Sequence, residues 1–177
     1  MSQAAHRVSS IDGTMARLMD SRLRQLADQL FVQSDTGAIR PASIANNLLP
    51  HLFILDIEQL DTQLQLRIRL TGTAVDQIFG KPIGGRLLEE FVHGPRGDQV
   101  ISGFHNCAKT HEPIWMRQIV HFQGKAPRFV EGIAIHLAPS RIVGGLVAGL
   151  VSTRAIASTF EREVLTRAGQ ASLIDSN

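Results

Sequence analysis

The chain has 177 residues, 44% of them hydrophobic and 19% charged, with a formal net charge of +2. This composition is typical of a globular protein and argues against global disorder, and the low net charge gives no electrostatic case for nucleic-acid binding. The single cysteine excludes an intramolecular disulfide and a cysteine-rich metal site. No secretory signal is evident, and the longest apolar run, Ile142 to Val151, is about half the length of a membrane helix. We therefore expect a soluble, cytoplasmic protein.

The first helix is predicted to begin at Asp12 or Thr14 and to run to about Val32, because its apolar residues recur at spacings of three and four. These residues form an apolar stripe along one face of the helix. The helix cannot bury this stripe alone, so it docks either on its own domain or on a second copy of the chain. The second alternative predicts a homodimer whose interface contains Met15, Leu18, Met19, Leu23, Leu26 and Leu30.

A hairpin is predicted next. Pro41 is expected to begin a short helix that ends near Leu49. The strand from His51 to Glu58 is apolar on both faces, which favours a central position. The strand after it alternates strictly up to Leu70, which is typical of a half-buried antiparallel strand.

The segment from Leu66 to Arg86 then changes its period abruptly. Ala74, Val75, Ile78 and Phe79 have helical spacing, which predicts a short helix closed by a left-handed Gly80. A tight glycine-rich loop and a second short helix, Arg86 to Val92, are expected to follow. These elements form either a lid over a cavity or a simple closure of the core.

The remaining elements complete an α+β layout. A longer helix is predicted over Gln99 to Thr110, three strands over Ile114 to Phe122, Arg128 to Ala138 and Val143 to Thr153, and a last helix over Ile156 to Ala168. The sum is a five-stranded antiparallel sheet with short helices on one face and flanking terminal helices. The predicted division is a disordered start and amphipathic helix at 1–36, the domain at 37–153, and a C-terminal helix and tail at 154–177.

Three segments carry a resemblance to a known family: "LLPHLFILDIE" (Leu48 to Glu58), "RIRLTGTAVDQIFGKPIGGR" (Arg67 to Arg86), and "FVEGIAIHLAPS" with the later "IVGGLVAG". Together with the element order, they resemble the bacterial family of short, stand-alone PAS-like proteins over roughly residues 38 to 153. The resemblance implies a cup-shaped sheet closed by short helices, and a sensing or interaction module that signals through its flanking helices to a separate protein partner.

A ligand in this cup would be small and apolar or amphipathic, and the sequence identifies no particular cofactor. Glu131 lies on an apolar strand face and needs a partner, for which the neighbouring strand offers Arg117. The pair is either structural or a polar anchor for a ligand. The side chains predicted to line the ligand site are Phe53, Leu55, Leu66, Ile68, Phe79, Phe104, Trp115, Arg117, Ile119, Glu131 and Ile133.

Other functions have weaker support. Asn106-Cys107 matches the flavin-adduct motif of light-sensing LOV domains poorly, and Cys107 is better read as a small buried hydrophobe. His105 and His111 lie on the helix that carries the haem ligand in haem-binding PAS sensors, but a solvated or capping role fits them better. Neither a metal site nor a catalytic constellation is predicted. The alternative to a ligand sensor is a ligand-free interaction adaptor.

Overall fold

The computed structural model describes residues 12–34, 41–92, 94–120, 128–137 and 140–150. In this part of the chain, the fold is the predicted α+β arrangement with a five-stranded antiparallel sheet, in the strand order β2-β1-β5-β4-β3. The strands are β1 Leu52–Leu60, β2 Gln63–Thr71, β3 Ile114–Val120, β4 Arg128–His136 and β5 Arg141–Leu150.

The helices are α1 Ser21–Ser34, α2 Thr73–Phe79 and α3 Gly94–Thr110. Single 3-10 turns at Pro41–Ser43 and Leu49–His51 replace the short helix that was predicted to end near Leu49. Similarly, the predicted helix from Arg86 to Val92 is only a 3-10 turn at Leu88–Glu90. The predicted C-terminal helix, Ile156 to Ala168, lies outside the described residues.

The N-terminal helix is not continuous from Asp12 or Thr14, as the sequence predicted. One helical turn at residues 12–15 is followed by a break, and α1 begins at Ser21. Asp20 caps α1, because its Oδ1 accepts the backbone N–H of Arg22 at 2.8 Å and its carboxylate pairs with the Arg22 guanidinium at 2.6 Å. At the break itself, the backbone N–H groups of Met19 and Asp20 donate to the carboxylate of Glu131 in β4.

The centre of the sheet is buried on both faces. One face packs with α2 and α3 around a core that includes Phe53, Ile68 and Phe104. The other face is covered by α1, with Leu23, Leu26 and Ile133 at the centre of a second apolar cluster. The strands β4 and β5 therefore have no polar face, as their nearly continuous apolar sequences indicate.

The apolar stripe of α1 packs on its own domain and not on a second copy of the chain. Leu18, Leu23, Leu26 and Leu30 are at most 3% exposed against the sheet of their own chain. A side chain without exposed surface cannot also contact a second subunit, so the assignment of these leucines to a dimer interface is wrong for this arrangement. The other two assigned residues are accessible: Met15 is half-buried and Met19 is exposed. A homodimer stays a prediction.

Gly145 of β5 makes room for this helix. A Cβ atom at this position would lie 2.4 Å from Leu26 Cδ2 and 3.0 Å from Leu23 Cδ2. On the neighbouring residue, Gly144, a Cβ would lie 2.1 Å from the Ile133 carbonyl oxygen and 2.5 Å from the Phe53 ring. The glycines of this strand thus allow a close approach on both faces of the sheet.

A β-bulge shifts one end of β2. Ile54 pairs with Leu70 but Leu55 pairs with Ile68, so Arg69 is the extra residue. Because an extra residue reverses which face each later side chain occupies, Thr71 points to the core side and Leu70 is 45% exposed. The strict alternation predicted up to Leu70 therefore ends at Ile68. No helix in the described ranges is long and apolar enough to cross a membrane.

Candidate ligand-binding cavity

A cavity of about 380 Å³ lies between the sheet and the helices α2 and α3. Its floor is formed by side chains of all five strands and its roof by α2, the 3-10 turn at Leu88–Glu90, and α3. This volume is within the range of small-molecule pockets, about 300–1,000 Å³. The lining residues are predominantly aliphatic and aromatic, with Phe53, Phe79, Phe91 and Phe104 among them.

Polar groups in the cavity are few. Among the described residues, only Thr71 and Gln118 contribute polar side chains to the lining, and no charged side chain does. The Thr71 hydroxyl already donates to Asp76 Oδ1 at 2.6 Å. The amide of Gln118 is half-buried and makes no hydrogen bond within the part of the chain that the structure describes. Gln118 is therefore the polar group with hydrogen-bonding capacity left for a ligand.

The α2 part of the roof belongs to the segment from Leu66 to Arg86, which forms a strand, a turn, a helix and a tight loop as predicted. Gly80 ends α2 in the left-handed conformation, with φ 75°. Gly85, with φ 83°, allows the chain to return to β2, where its N–H donates to the Ile68 carbonyl at 2.6 Å. Asp76 fixes the loop, since its Oδ1 also accepts the N–H of Ile83 at 3.3 Å.

The structure brings six of the predicted ligand-site residues together at the cavity. A seventh, Leu66, belongs to the surrounding core without lining the cavity. The six residues are Phe53, Leu55, Ile68, Phe79, Phe104 and Ile119.

The other four predicted site residues lie on the opposite face of the sheet. In the β3–β4 register, Trp115 pairs with Ile133 and Arg117 pairs with Glu131, and these side chains point towards α1. The cavity side carries the alternate positions Met116 and Val130. Placing Trp115, Arg117, Glu131 and Ile133 in the ligand site was therefore wrong, because both faces of these strands are apolar and the sequence pattern does not identify the face that meets the cavity.

Glu131 holds the N-terminal segment instead of lining the cavity. Its side chain is fully buried, and Arg117, 12% exposed, donates to its Oε1 at 2.7 Å. The cross-strand pair is thus the one that the sequence predicted. The backbone N–H groups of Met19 and Asp20 donate to Oε2 at 3.2 and 2.9 Å, and Trp115 Nε1 donates to Oε1 at 3.3 Å.

Arg117 extends the same network. Its guanidinium lies 4.6 Å from the centre of the Trp115 ring and donates to the Arg17 carbonyl oxygen at 2.8 Å. The chain therefore breaks after the first helical turn because Glu131 and Arg117 bind the backbone between that turn and α1. A buried carboxylate needs such donors.

His105 and Cys107 of α3 and His111, which follows the helix, lie away from the cavity lining. His105 faces Glu89, with 3.6 Å between Nε2 and Oε1, and His111 stacks on His136 with ring centres 3.9 Å apart. Cys107 is fully buried, and burial raises the pKa of its thiol to about 12. Within the described residues, no group of three metal-ligating side chains occurs and no histidine lines the cavity.

Several lining residues were missed by the sequence-based prediction of the site. Val75 and Ile78 of α2 and Val100 of α3 line the cavity, and helical spacing had already singled out Val75 and Ile78 in the sequence. Gln118 had no such signal, because a glutamine in an apolar strand reads equally well as a solvent-facing residue.

The comparisons with known proteins concern the fold. No family model and no curated protein matches the chain. A fungal LOV domain photoreceptor is similar in structure, with 17% identity, a TM-score of 0.44, and coverage of 66% of this chain and 88% of that chain. An RNA-binding light-oxygen-voltage receptor matches with 13% identity and a TM-score of 0.39 over 60% of this chain and 33% of that chain.

Proposed function

We propose that this protein is a non-enzymatic regulatory module that senses a small, uncharged, largely apolar ligand. The observation that carries the proposal is the apolar cavity of about 380 Å³ beneath α2 and α3. Small-molecule sites are typically concave and mostly apolar, with a volume of about 300–1,000 Å³ and a few polar groups. The cavity has this size and this kind of lining, which supports a ligand site over the simple closure of a core.

The lining supports an uncharged, largely apolar ligand. A charged group would lose its hydration in the cavity without gaining an opposite charge, at a large free-energy cost. A hydroxyl, amine or carbonyl group at one end of an apolar molecule would instead pair with the Gln118 amide. We infer an amphipathic ligand whose apolar body contacts phenylalanine side chains and whose single polar end meets β3.

Signal transmission is proposed to run through the strands. Val130 contacts the cavity while the next residue, Glu131, binds the N-terminal segment on the opposite face. Met116 and Arg117 have the same relation in β3. A ligand that shifts these strands would therefore alter the site that holds residues 16–20. We propose that a separate protein partner reads the position of this segment and that the chain acts as a stand-alone homodimer.

The first experiment asks whether the cavity binds a ligand. N-phenyl-1-naphthylamine is an uncharged apolar fluorophore with one N–H donor, and its fluorescence should rise on saturable binding. Gln118→Leu should weaken its affinity by about tenfold, as expected for a lost hydrogen bond that leaves a buried donor unpaired. Val130→Phe should abolish binding by filling the cavity. Gln77→Leu, at an exposed position on α2, is the matched control and should bind like the unaltered protein.

Mass spectrometry of a denatured extract would then identify a co-purified molecule. Absence of both probe binding and any co-purified small molecule would refute the sensor proposal and leave the ligand-free adaptor. A Soret band in the absorption spectrum would establish the haem alternative, for which the cavity lining offers no histidine among the described residues.

A further inference from the structure

His51 lies between the start of α1 and the sheet. It ends the 3-10 turn at Leu49–His51 and is half-buried. Its Nδ1 lies 3.3 Å from the carbonyl oxygen of Leu146 in β5, and its Nε2 lies 3.3 Å from Nη1 of Arg22 in α1. The imidazole ring therefore bridges the N-terminal helix and a strand of the sheet.

The two hydrogen-bond partners fix the protonation state of this ring. A carbonyl oxygen accepts hydrogen bonds and cannot donate them, so Nδ1 carries the proton. A guanidinium group donates and cannot accept, so Nε2 is the unprotonated nitrogen. Both hydrogen bonds are thus made by the neutral imidazole. A second proton would place an Nε2–H group and a positive charge directly against the guanidinium of Arg22.

The guanidinium of Arg22 connects this ring to the break before α1. Its Nε and Nη2 atoms donate to the two carboxylate oxygens of Asp20 at 3.0 and 2.6 Å. The Oδ1 atom of Asp20 also caps α1, and the Asp20 N–H donates to Glu131 at 2.9 Å. Because the guanidinium is a planar fork, it cannot move away from His51 without changing its bonds to Asp20. A change at His51 therefore reaches the residues that Glu131 holds.

Two charged side chains act on His51 in the part of the chain that the structure describes. The charge of Arg22 opposes protonation, and the carboxylate of Asp20 favours it to a smaller extent. The turn that ends at His51 also packs against α2 and β5. The charged residue of α2, Asp76, makes its hydrogen bonds in the roof of the cavity, and that of β5, Arg141, is paired within the sheet. Arg22 is therefore the group that a protonated His51 opposes.

We propose that His51 is a proton sensor that controls how firmly the N-terminal segment is held on the sheet. Protonation of the ring repels Arg22 and disturbs the cap at Asp20, and this weakens the bonds from the backbone of Met19 and Asp20 to Glu131. The loosened state takes up the proton more readily, so loosening increases as the pH falls below about 6.5, the ordinary pKa of histidine. Burial and the charge of Arg22 lower the pKa of His51 in the folded protein, which has the same sign. The proton acts without any ligand in the cavity, so this inference goes beyond the function proposed above.

Native-state hydrogen exchange of the unliganded protein, followed by NMR, tests the sensor. The measured quantity is the protection factor of the Met19, Asp20 and Arg22 amides at about pH 7.5 and about pH 5.5, on either side of the histidine pKa. Protection should fall by about threefold at the lower pH, near the lower end for one lost hydrogen bond, because Arg22 is 43% exposed. His51→Gln keeps a neutral donor and acceptor and should abolish this pH dependence. His105→Gln, on α3, is the matched control and should retain it.

Arg22→Gln is a second variant, which keeps His51 ionisable but removes the charge that it opposes. The NMR shifts of the His51 ring protons should then show protonation at a higher pH than in the unaltered protein. The proposal is overturned if His51 gains its proton while the protection of the three amides stays the same. It is also overturned if the pH-dependent loss of protection persists in His51→Gln. Neither measurement uses a ligand, so failure of the proton sensor is distinguishable from failure of N-phenyl-1-naphthylamine to bind.

Discussion

Replacing Glu131 by glutamine tests whether one buried carboxylate holds the N-terminal segment on the sheet. The amide keeps the shape of the side chain but removes its charge and one of its two acceptor oxygens. If the amide NH₂ takes the position of Oε2, it faces the N–H groups of Met19 and Asp20. If it takes the position of Oε1, it faces the donors of Arg117 and Trp115. Neither orientation satisfies every donor.

The expected loss of stability follows from the burial of the pair. Removing one partner of a buried ion pair costs about 3–5 kcal/mol, because the other charge stays buried without compensation. Arg117 retains 12% exposure and its bond to the Arg17 carbonyl, so we expect the lower end, roughly 3 kcal/mol. Urea denaturation followed by circular dichroism measures this difference. The fluorescence of Trp115, which donates to Glu131, should also change in the native state.

Glu58→Gln is the matched control. Glu58 and Arg67 form a pair of the same length, 2.7 Å, but their side chains are 39% and 40% exposed. Exposed pairs contribute about 0–1 kcal/mol, so this substitution should change the unfolding free energy by less than ~1 kcal/mol. Equal effects of the two substitutions would refute the role assigned to Glu131. Loss of N-phenyl-1-naphthylamine binding in a folded Glu131→Gln protein would instead indicate that the Glu131 network is coupled to the cavity through β3 and β4.

Three further predictions concern other sites. Burial and the nearby Arg22 guanidinium lower the pKa of His51 below its usual 6.5, so the folded state takes up this proton less readily than the unfolded state. The stability present above pH 6.5 should fall as the pH drops through the lowered pKa, and His51→Gln should flatten this part of a pH series of urea midpoints. Gly145→Val should cost about 1–3 kcal/mol by pushing Leu26 away, whereas Gly149→Val, where the nearest atom to an added Cβ is 4.0 Å away, should have a much smaller effect on the same midpoint. Cys107 should react with iodoacetamide at pH 8 only in denaturant, since its thiol is buried with a pKa raised to about 12; rapid labelling of the native protein would contradict this.

The sequence predicted the fold where local chemistry determines the backbone. Gly80 and the change of period after Leu70 define the turn, the short helix and its cap, because glycine and helical spacing constrain a few consecutive residues. The strands were correct to within a few residues for the same reason. The bulge at Arg69 was not predictable, since it depends on pairing with a strand that lies earlier in the chain.

The candidate site was only partly predictable, because its residues are selected by strand facing. Phe53 and Ile68 lie at the cavity, whereas Glu131 lies on the opposite face of the sheet. A carboxylate in an apolar strand signals a buried network, and the sequence correctly supplied Arg117 as its partner. The backbone N–H groups of Met19 and Asp20 complete that network, and no side-chain pattern reveals backbone donors.

The packing of α1 on the sheet has a practical consequence for truncated forms of the protein. A fragment that begins at residue 37, the domain boundary predicted from the sequence, would lack α1. Its absence would expose Trp115, Ile133 and Val143 to solvent. It would also remove the Met19 and Asp20 donors from Glu131 and expose the Glu131–Arg117 pair in the middle of an apolar surface. Such a fragment should self-associate through the bared surface, so an oligomer observed with it would report on the trimming and not on the natural assembly.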